Sequence, residues 1–419
     1  LPLVLIATSG PMILWSVGGL EGILFAAAVL AAFLQYERAR TDARHSLLFA
    51  GALYGAATLV RPDGAVFGGA AGLHLIVSRL AGGRLIPDAA RLAGGYALVV
   101  VPHLLFRVLY YGDWLPNTYY VKSAGEGRVA LGIEYLQSFA TEYQTLLLAA
   151  LVGALLALIA PSLRKVRGTT LHMVLAVVLF GAYVTFGGGD YMALYRFYVP
   201  VIPFLAIFAS LLLFVVGLTV TRLTGQAILA LLLALPLLAG VAWVNYQPSV
   251  ASEAGIKKSR VVVPLAGMRT NTANWSAAGR ALGSAFWPDA VLATSAAGAI
   301  PFFSGLPTID QSGLNDRYTA KEEWNPWNIN KPGHTKMATK EYIQRRNPDL
   351  ILAHPKIWSG KSIHRTNNPW PKYILRAVAI PELRDPAGEQ LYLYFWLRRD
   401  QAERASERGI IPPPSPNLR

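Results

Sequence analysis

The chain has 419 residues, 53% of them hydrophobic and only 15% charged, with a mean hydropathy of +0.38. That balance excludes an ordinary soluble globular protein and a disordered one, and it suits a polypeptide with many membrane spans. A formal net charge of +14 comes with no cysteine, which excludes a disulfide scaffold and thiolate metal sites without fixing the compartment.

Residues 1–8 are apolar but far fewer than the roughly 20 that a spanning helix needs, so the chain is expected to open inside a span whose beginning lies upstream of Leu1. A loop at 15–21 follows, and hydrophobic spans are then expected at 20–36, 46–60, 64–78, 94–110, 145–160, 171–186, 199–220 and 226–246. About eight spans plus a partial one result. The connecting segments alternate in basic content. Arg38, Arg40 and Arg44 fall in one set, with Arg79, Arg84 and Arg91, with Arg164, Lys165 and Arg167, and with Arg222. By the positive-inside rule this set faces the cytoplasm. The other set, around 15–21, 61–64, 113–122 and 187–192, then faces the exterior or periplasm. Within the longest external loop, Leu131, Tyr135, Phe139 and Tyr143 share one helical face, the pattern of a helix lying in the headgroup plane.

Everything after Tyr246 is expected outside, as an aqueous domain. Residues 1–246 hold 15 Lys and Arg against 10 Asp and Glu, whereas 247–419 hold 23 against 14. That basic excess suits anionic headgroups, and no basic helix or interleaved aromatic stripe singles out nucleic acid. A helix at 274–285, strands at 290–294 and 306–309, a helix at 340–346, a strand at 350–353 and a strand pair at 373–379 and 390–397 make a small α/β domain. The tail 409–419, with Pro412, Pro413 and Pro414, reads as extended or disordered.

Chemistry-bearing residues gather in the external set. Gly187, Gly188, Gly189 and Asp190 interrupt two spans, and a backbone break at that depth implies a polar cavity. Asp190 and Arg196 lie among Tyr191, Tyr195 and Tyr198; carboxylates bond sugar hydroxyls, aromatics pack on ring faces and arginine forks phosphate oxygens. The plainer alternative is that Asp190 caps the next helix and Arg196 snorkels to headgroups. Glu21 and Asp63 each stand where a helix begins, so capping explains Glu21 equally well and Asp63 better. Arg61 is a cation at the edge of a span, where a buried partner or a phosphate is the default expectation. Lys122 closes the segment Asn117, Thr118, Tyr119, Tyr120, Val121, which also fits an interfacial aromatic belt. There is no phosphate-binding glycine loop, no His-Glu-x-x-His and no Gly-x-Ser-x-Gly, and the seven histidines are scattered, so no metal site is read.

Taken in order, Val60-Arg61-Pro62-Asp63, then Tyr110-Tyr111-Gly112 with Pro116, Thr118 and Lys122, then Gly188-Gly189-Asp190-Tyr191-Met192 resemble the terminal β-(1→2)-arabinofuranosyltransferases of actinobacterial cell-wall synthesis. Asp310-Gln311-Ser312-Gly313-Leu314-Asn315, Gly333-His334-Thr335-Lys336 and Asn347 to Ala353 are similar to the external domain of that family. The resemblance implies an integral membrane glycosyltransferase of the C-type superfamily. Such an enzyme moves arabinofuranose or a related sugar, with inversion, from a polyprenyl-phosphate donor to a cell-envelope glycan. It implies no nucleotide or bound cofactor and leaves a divalent metal open. It also implies a catalytic base in the first external loop, upstream of Leu1, without which the present chain is expected to be inactive. Arg61, Lys122 and Arg196 are then the cations for the donor phosphate. Glu21, Asp63, Asn117, Tyr119, Asp190, Tyr191 and Trp15 are the residues for sugar and acceptor, and Asp310, Asn315 and His334 are the external domain's contribution. A lipid or glycan transporter, which predicts inverted repeats not seen here, and a noncatalytic glycan-binding membrane protein are the competing readings.

Overall fold

The computed structural model describes residues 1–42, 44–80, 84–123, 128–321, 333, 336–359 and 369–412. The chain divides into two compact units, Leu1–Trp114 with Arg128–Leu265, and Leu115–Gly127 with Ala266–Arg419.

The first unit is helical. Two short helices, α1 (Pro2–Ala7) and α2 (Gly10–Val17), precede α3 (Gly22–Thr41), α4 (Leu47–Val60), α5 (Gly64–Arg79) and α6 (Leu85–Tyr111). A short α7 (Asn117–Ser123) belongs to the second unit, and α8 (Arg128–Glu142), α9 (Gln144–Ile159), α10 (Arg167–Gly187), α11 (Ile202–Thr224) and α12 (Ala227–Glu253) complete the first. The Ser46 hydroxyl caps α4 by accepting from the Phe49 amide. That helix stops at Arg61, whose φ of −146° and ψ of 135° are the extended geometry that a following proline imposes. Close approach builds the α4 and α6 pair: a Cβ on Gly95 would stand 1.8 Å from the Leu48 carbonyl oxygen, and one on Gly51 would stand 2.0 Å from that of Leu92.

All eight expected hydrophobic segments are helical, and they differ in whether their length suits a crossing. Among the described residues five helical stretches are long and apolar enough to cross a membrane, Gly22–Thr41, Leu85–Tyr111, Pro161–Gly187, Ala193–Thr224 and Ala227–Glu253. A sixth arises if α8 and α9, bent by 88°, count as one. Helices α4 and α5, at 14 and 16 residues, rise only about 21–24 Å against a hydrocarbon core of about 30 Å. Two placements change. Trp15 stands on α2, not in a loop, and the face of α8 that carries Leu131, Tyr135 and Phe139 is buried against protein, because aromatic residues of the 193–201 segment supply the apolar surface first assigned to lipid.

The unit boundary falls at Leu265 rather than after Tyr246. Helix α12 runs through Pro236 and Pro248 to Glu253, and the segment beyond it is tied back by Ile256 N–H to the Ala251 carbonyl, Val263 N–H to the Tyr191 carbonyl and Leu265 N–H to the Ser252 hydroxyl.

The second unit carries α13 (Leu265–Ala285), β1 (Leu292–Thr294), α14 (Ala299–Ser304), β2 (Thr308–Asp310), α15 (Arg317–Lys321), α16 (Lys340–Arg346), β3 (Leu350–Ser359), β4 (Tyr373–Arg384), β5 (Gln390–Arg398) and α17 (Ala402–Ser406). Its sheet runs β2-β1-β3-β5-β4, with β1 parallel to β2 and β3, and β5 antiparallel to β3 and β4. Alternate residues feed two cores, as a pleated strand requires: Leu292, Leu350 and Leu352 join Leu282, Ile300 and Phe395 on one face, while Ala293, Ile309 and Ile351 join Tyr342, Ile343 and Tyr373 on the other. Ile411, in the expected extended tail, pairs with Ala377; residues 413–419 lie outside the described residues.

Candidate functional site

The helix ends expected to carry chemistry converge within the first unit. Glu21 and Asp63 occupy the caps of α3 and α5, yet neither side chain makes a capping bond. Both turn to Arg61. Its Nη1 donates to Glu21 Oε1 at 2.7 Å, its Nε to Asp63 Oδ2 at 3.0 Å, and its Nη2 to the same oxygen at 2.5 Å. The other Asp63 oxygen accepts from the Tyr183 hydroxyl at 2.7 Å. Asp63 is buried, whereas the Glu21 side chain is 37% exposed, which leaves it the carboxylate of the group that an incoming hydroxyl can reach.

Phe197 joins this triad to a second pair. The Arg61 guanidinium stands 5.0 Å from the Phe197 ring centre and that of Arg196 stands 5.2 Å from it, so one ring accepts two cations. Arg196 Nη2 lies 2.8 Å from Asp190 Oδ2, and its guanidinium lies 5.8 Å from the ring of Trp15. Trp15 is buried and donates from Nε1 to the Ala193 carbonyl at 3.2 Å, so it braces the segment that presents Arg196. Three carboxylates face two guanidinia across this cluster, an excess of one negative charge when all five are ionised. Arg61 spends three donors on carboxylates; Arg196 keeps a buried Nε with no acceptor, an orphan of the kind that calls for an explanation.

The backbone here is strained. Gly188 and Gly189 have φ of +91° and +71°, and a Cβ on Gly189 would stand 2.6 Å from the Tyr135 ring, so glycine is required both by the turn and by contact with α8. Leu194 and Tyr195 follow with φ of 54° and 50°. A left-handed non-glycine costs about 1–2 kcal/mol, and two in succession must be held by their surroundings. The Tyr195 hydroxyl donates to Glu142 on α8, and the Phe197 amide donates to the Tyr135 hydroxyl at 3.3 Å. Tyr191 sits at the same turn, where burial and then the neighbouring Asp190 carboxylate raise its phenol pKa.

The remaining expected residues stand elsewhere. Asn117, Tyr119 and Lys122 lie on α7 in the second unit, with Tyr119 half exposed and the Lys122 side chain exposed. In that unit Asp310 accepts from the Ser312 and Asn315 amides, each at 2.8 Å, so it shapes a turn and Asn315 serves it through its backbone. Burial is the leading influence on Asp310 and raises its pKa against those hydrogen bonds. His334 lies outside the described residues. Sequence reasoning missed Tyr183, Phe197 and Tyr135. A hydroxyl-bearing aromatic within a turn of the end of an apolar helix was the available signal for Tyr183; for Phe197 there was none.

The fold and the cluster define a mostly helical protein with several helices able to cross a membrane, a carboxylate and arginine group at their ends, and a separate C-terminal sheet unit. Residues 266–394, within that second unit, are similar to a domain of unknown function, DUF8728. No curated protein and no solved structure matches the chain.

Proposed function

We propose that the chain is a multi-pass protein of a bacterial inner membrane that transfers a sugar, arabinofuranose or a related one, from a polyprenyl-phosphate donor to a cell-envelope glycan, with the C-terminal unit on the external face. The carrying observation is the Glu21, Arg61, Asp63, Asp190 and Arg196 cluster. Two residues that sequence alone explains as helix caps have given up that role to hold an arginine. In the transfer an acceptor oxygen bonds to the anomeric carbon, the bond from that carbon to the phosphate oxygen breaks, the acceptor proton goes to a base, and polyprenyl phosphate leaves. Carboxylates that bond sugar hydroxyls, and a cation that meets the developing phosphate charge, are what this chemistry needs. Arg196, with its spare donor, suits the phosphate; Arg61 positions Glu21 and Asp63.

A second feature favours a lipid-borne donor. An apolar cavity of about 360 Å³, lined by Tyr54, Gly68, Gly69, Gly72, Leu92 and Tyr96 among others, lies between α4, α5 and α6. On α5 its lining begins at Ala65, two residues, or about 3 Å of helix, beyond Asp63. A Cβ on Gly69 or Gly72 would meet no atom within 4 Å, so packing does not demand glycine there, although each costs a helix about 1 kcal/mol relative to alanine. An isoprenoid chain would fill that room.

Membranes that carry the full-length gene product, given radiolabelled polyprenyl-phosphate sugar, test the reading. Transfer is expected to fall at least about 100-fold in Arg196→Ala and Asp190→Asn. Gly72→Leu should fold normally and weaken donor use. Transfer unchanged in all three variants sinks the assignment.

A further inference from the structure

At the opposite end of the same helices, about sixteen residues and so about 24 Å along α3 from Glu21, a second polar group is enclosed. Glu37 on α3, His74 on α5 and His172 on α10 each offer a ligand atom, and these atoms lie within 4.8 Å of one another. His172 Nδ1 is 2.8 Å from Glu37 Oε1. The two imidazole centres are 5.0 Å apart with planes 11° from parallel. Two imidazoles that share a tetrahedral ion, each nitrogen about 2 Å from it, also have centres roughly 5 Å apart.

The surroundings have the form of an outer shell. His74 is wholly buried; its Nδ1 stands 2.9 Å from the Tyr36 hydroxyl, its Nε2 is buried without a hydrogen bond, and the Gly168 backbone lies beside the ring. His172 is 1% exposed, and its Nε2 faces the Tyr54 hydroxyl at 3.5 Å. Phenols on the far nitrogens fix the tautomer and the direction of a ligating imidazole. The second Glu37 oxygen is held by Arg40 at 2.8 Å and the Thr169 hydroxyl at 2.5 Å, which keeps the first turned inward.

We propose that Glu37, His74 and His172 bind one divalent first-row transition ion, tying α3, α5 and α10 together at this end. Two imidazoles with one carboxylate favour zinc, iron, manganese, cobalt or nickel over magnesium and calcium. For the ion to bind, each imidazole stays neutral with its one proton on the nitrogen away from the ion: His172 Nε2–H then donates to the Tyr54 oxygen and His74 Nδ1–H to the Tyr36 oxygen. The ion would be held whether or not the protein transfers a sugar.

The full-length protein, purified without a polyhistidine tag, stripped with a chelator and re-equilibrated with Zn²⁺ or Co²⁺, should retain about one equivalent by elemental analysis. His74→Gln with His172→Gln should retain less than about a tenth of that and lose the visible absorption of the cobalt form. Tyr36→Phe, with all three ligands intact, should still bind. Because the double variant removes buried partners, melting provides a second measurement: Zn²⁺ should raise Tm of the wild type and leave Glu37→Gln unmoved. Wild type that holds less than about a tenth of an equivalent, or a double variant that binds as wild type does, overturns the site.

Discussion

Helices α3, α5 and α10 carry polar groups at both ends, and the two ends are built differently. At the Arg61 end the charged groups sit on helix caps and in the Arg61 to Asp63 and Gly188 to Arg196 breaks, Glu21 is over a third exposed, and left-handed residues store strain. At the His74 end the polar groups lie within helix bodies, two imidazoles are buried, and Phe33 and Tyr36 pack against the ring of His172. Groups on breaks can exchange protein partners for a substrate, since their backbone is already free of the helical ladder; groups on packed helices move only if the helices do. The proposed transfer draws on the first arrangement and the proposed ion on the second.

Substitutions can break or sharpen that contrast. Arg61→Ala should have the largest effect, because it leaves Glu21 and buried Asp63 without their cation: a loss of about 3–5 kcal/mol in chemical denaturation is expected, together with loss of transfer. Adding Asp63→Asn should restore part of the stability but none of the activity. A melt like that of the wild type would mean the triad is not a buried ion group. Gly189→Ala places a methyl 2.6 Å from Tyr135 at a φ of +71° and should cost about 1–3 kcal/mol, read the same way. Tyr183→Phe removes a bond to a carboxylate, worth about 1.5–3 kcal/mol, whereas Tyr36→Phe removes one between neutral partners, worth about 0.5–1.5 kcal/mol. Equal losses would erase the difference between the ends.

The smallest effect concerns Asp310, in the sheet unit. Its pKa is raised in the folded state, so the fold binds this proton more tightly than the unfolded chain does. Its contribution is fully present below the ordinary aspartate value near about 4 and is lost as pH rises through the raised one. Hydrogen exchange in the sheet unit across that window should show protection falling with pH, and a flat profile would show that the turn amides cancel the burial.

Much of the fold was legible. The helix Lys340–Arg346 carries its own start signal, the Thr339 hydroxyl that accepts from the Tyr342 amide, and β4 and β5 are rich in β-branched and aromatic residues, as strands are. The site was legible in part. Arg61 was marked as a cation needing a partner, yet Glu21, the partner 40 positions away, read as a cap. The two histidines at 74 and 172 read as scattered because 98 residues separate them, and no local pattern links α5 to α10.

Hydrophobic periodicity and length determined that this chain makes long apolar helices and a small mixed sheet, since burial of apolar surface and backbone hydrogen bonding act over windows of ten to twenty residues. Which polar residues meet was decided only by tertiary packing. A carboxylate at a helix start such as Glu21 is equally satisfied by its own backbone or by a distant arginine, and only the approach of α3 to the break between α4 and α5 makes the arginine available.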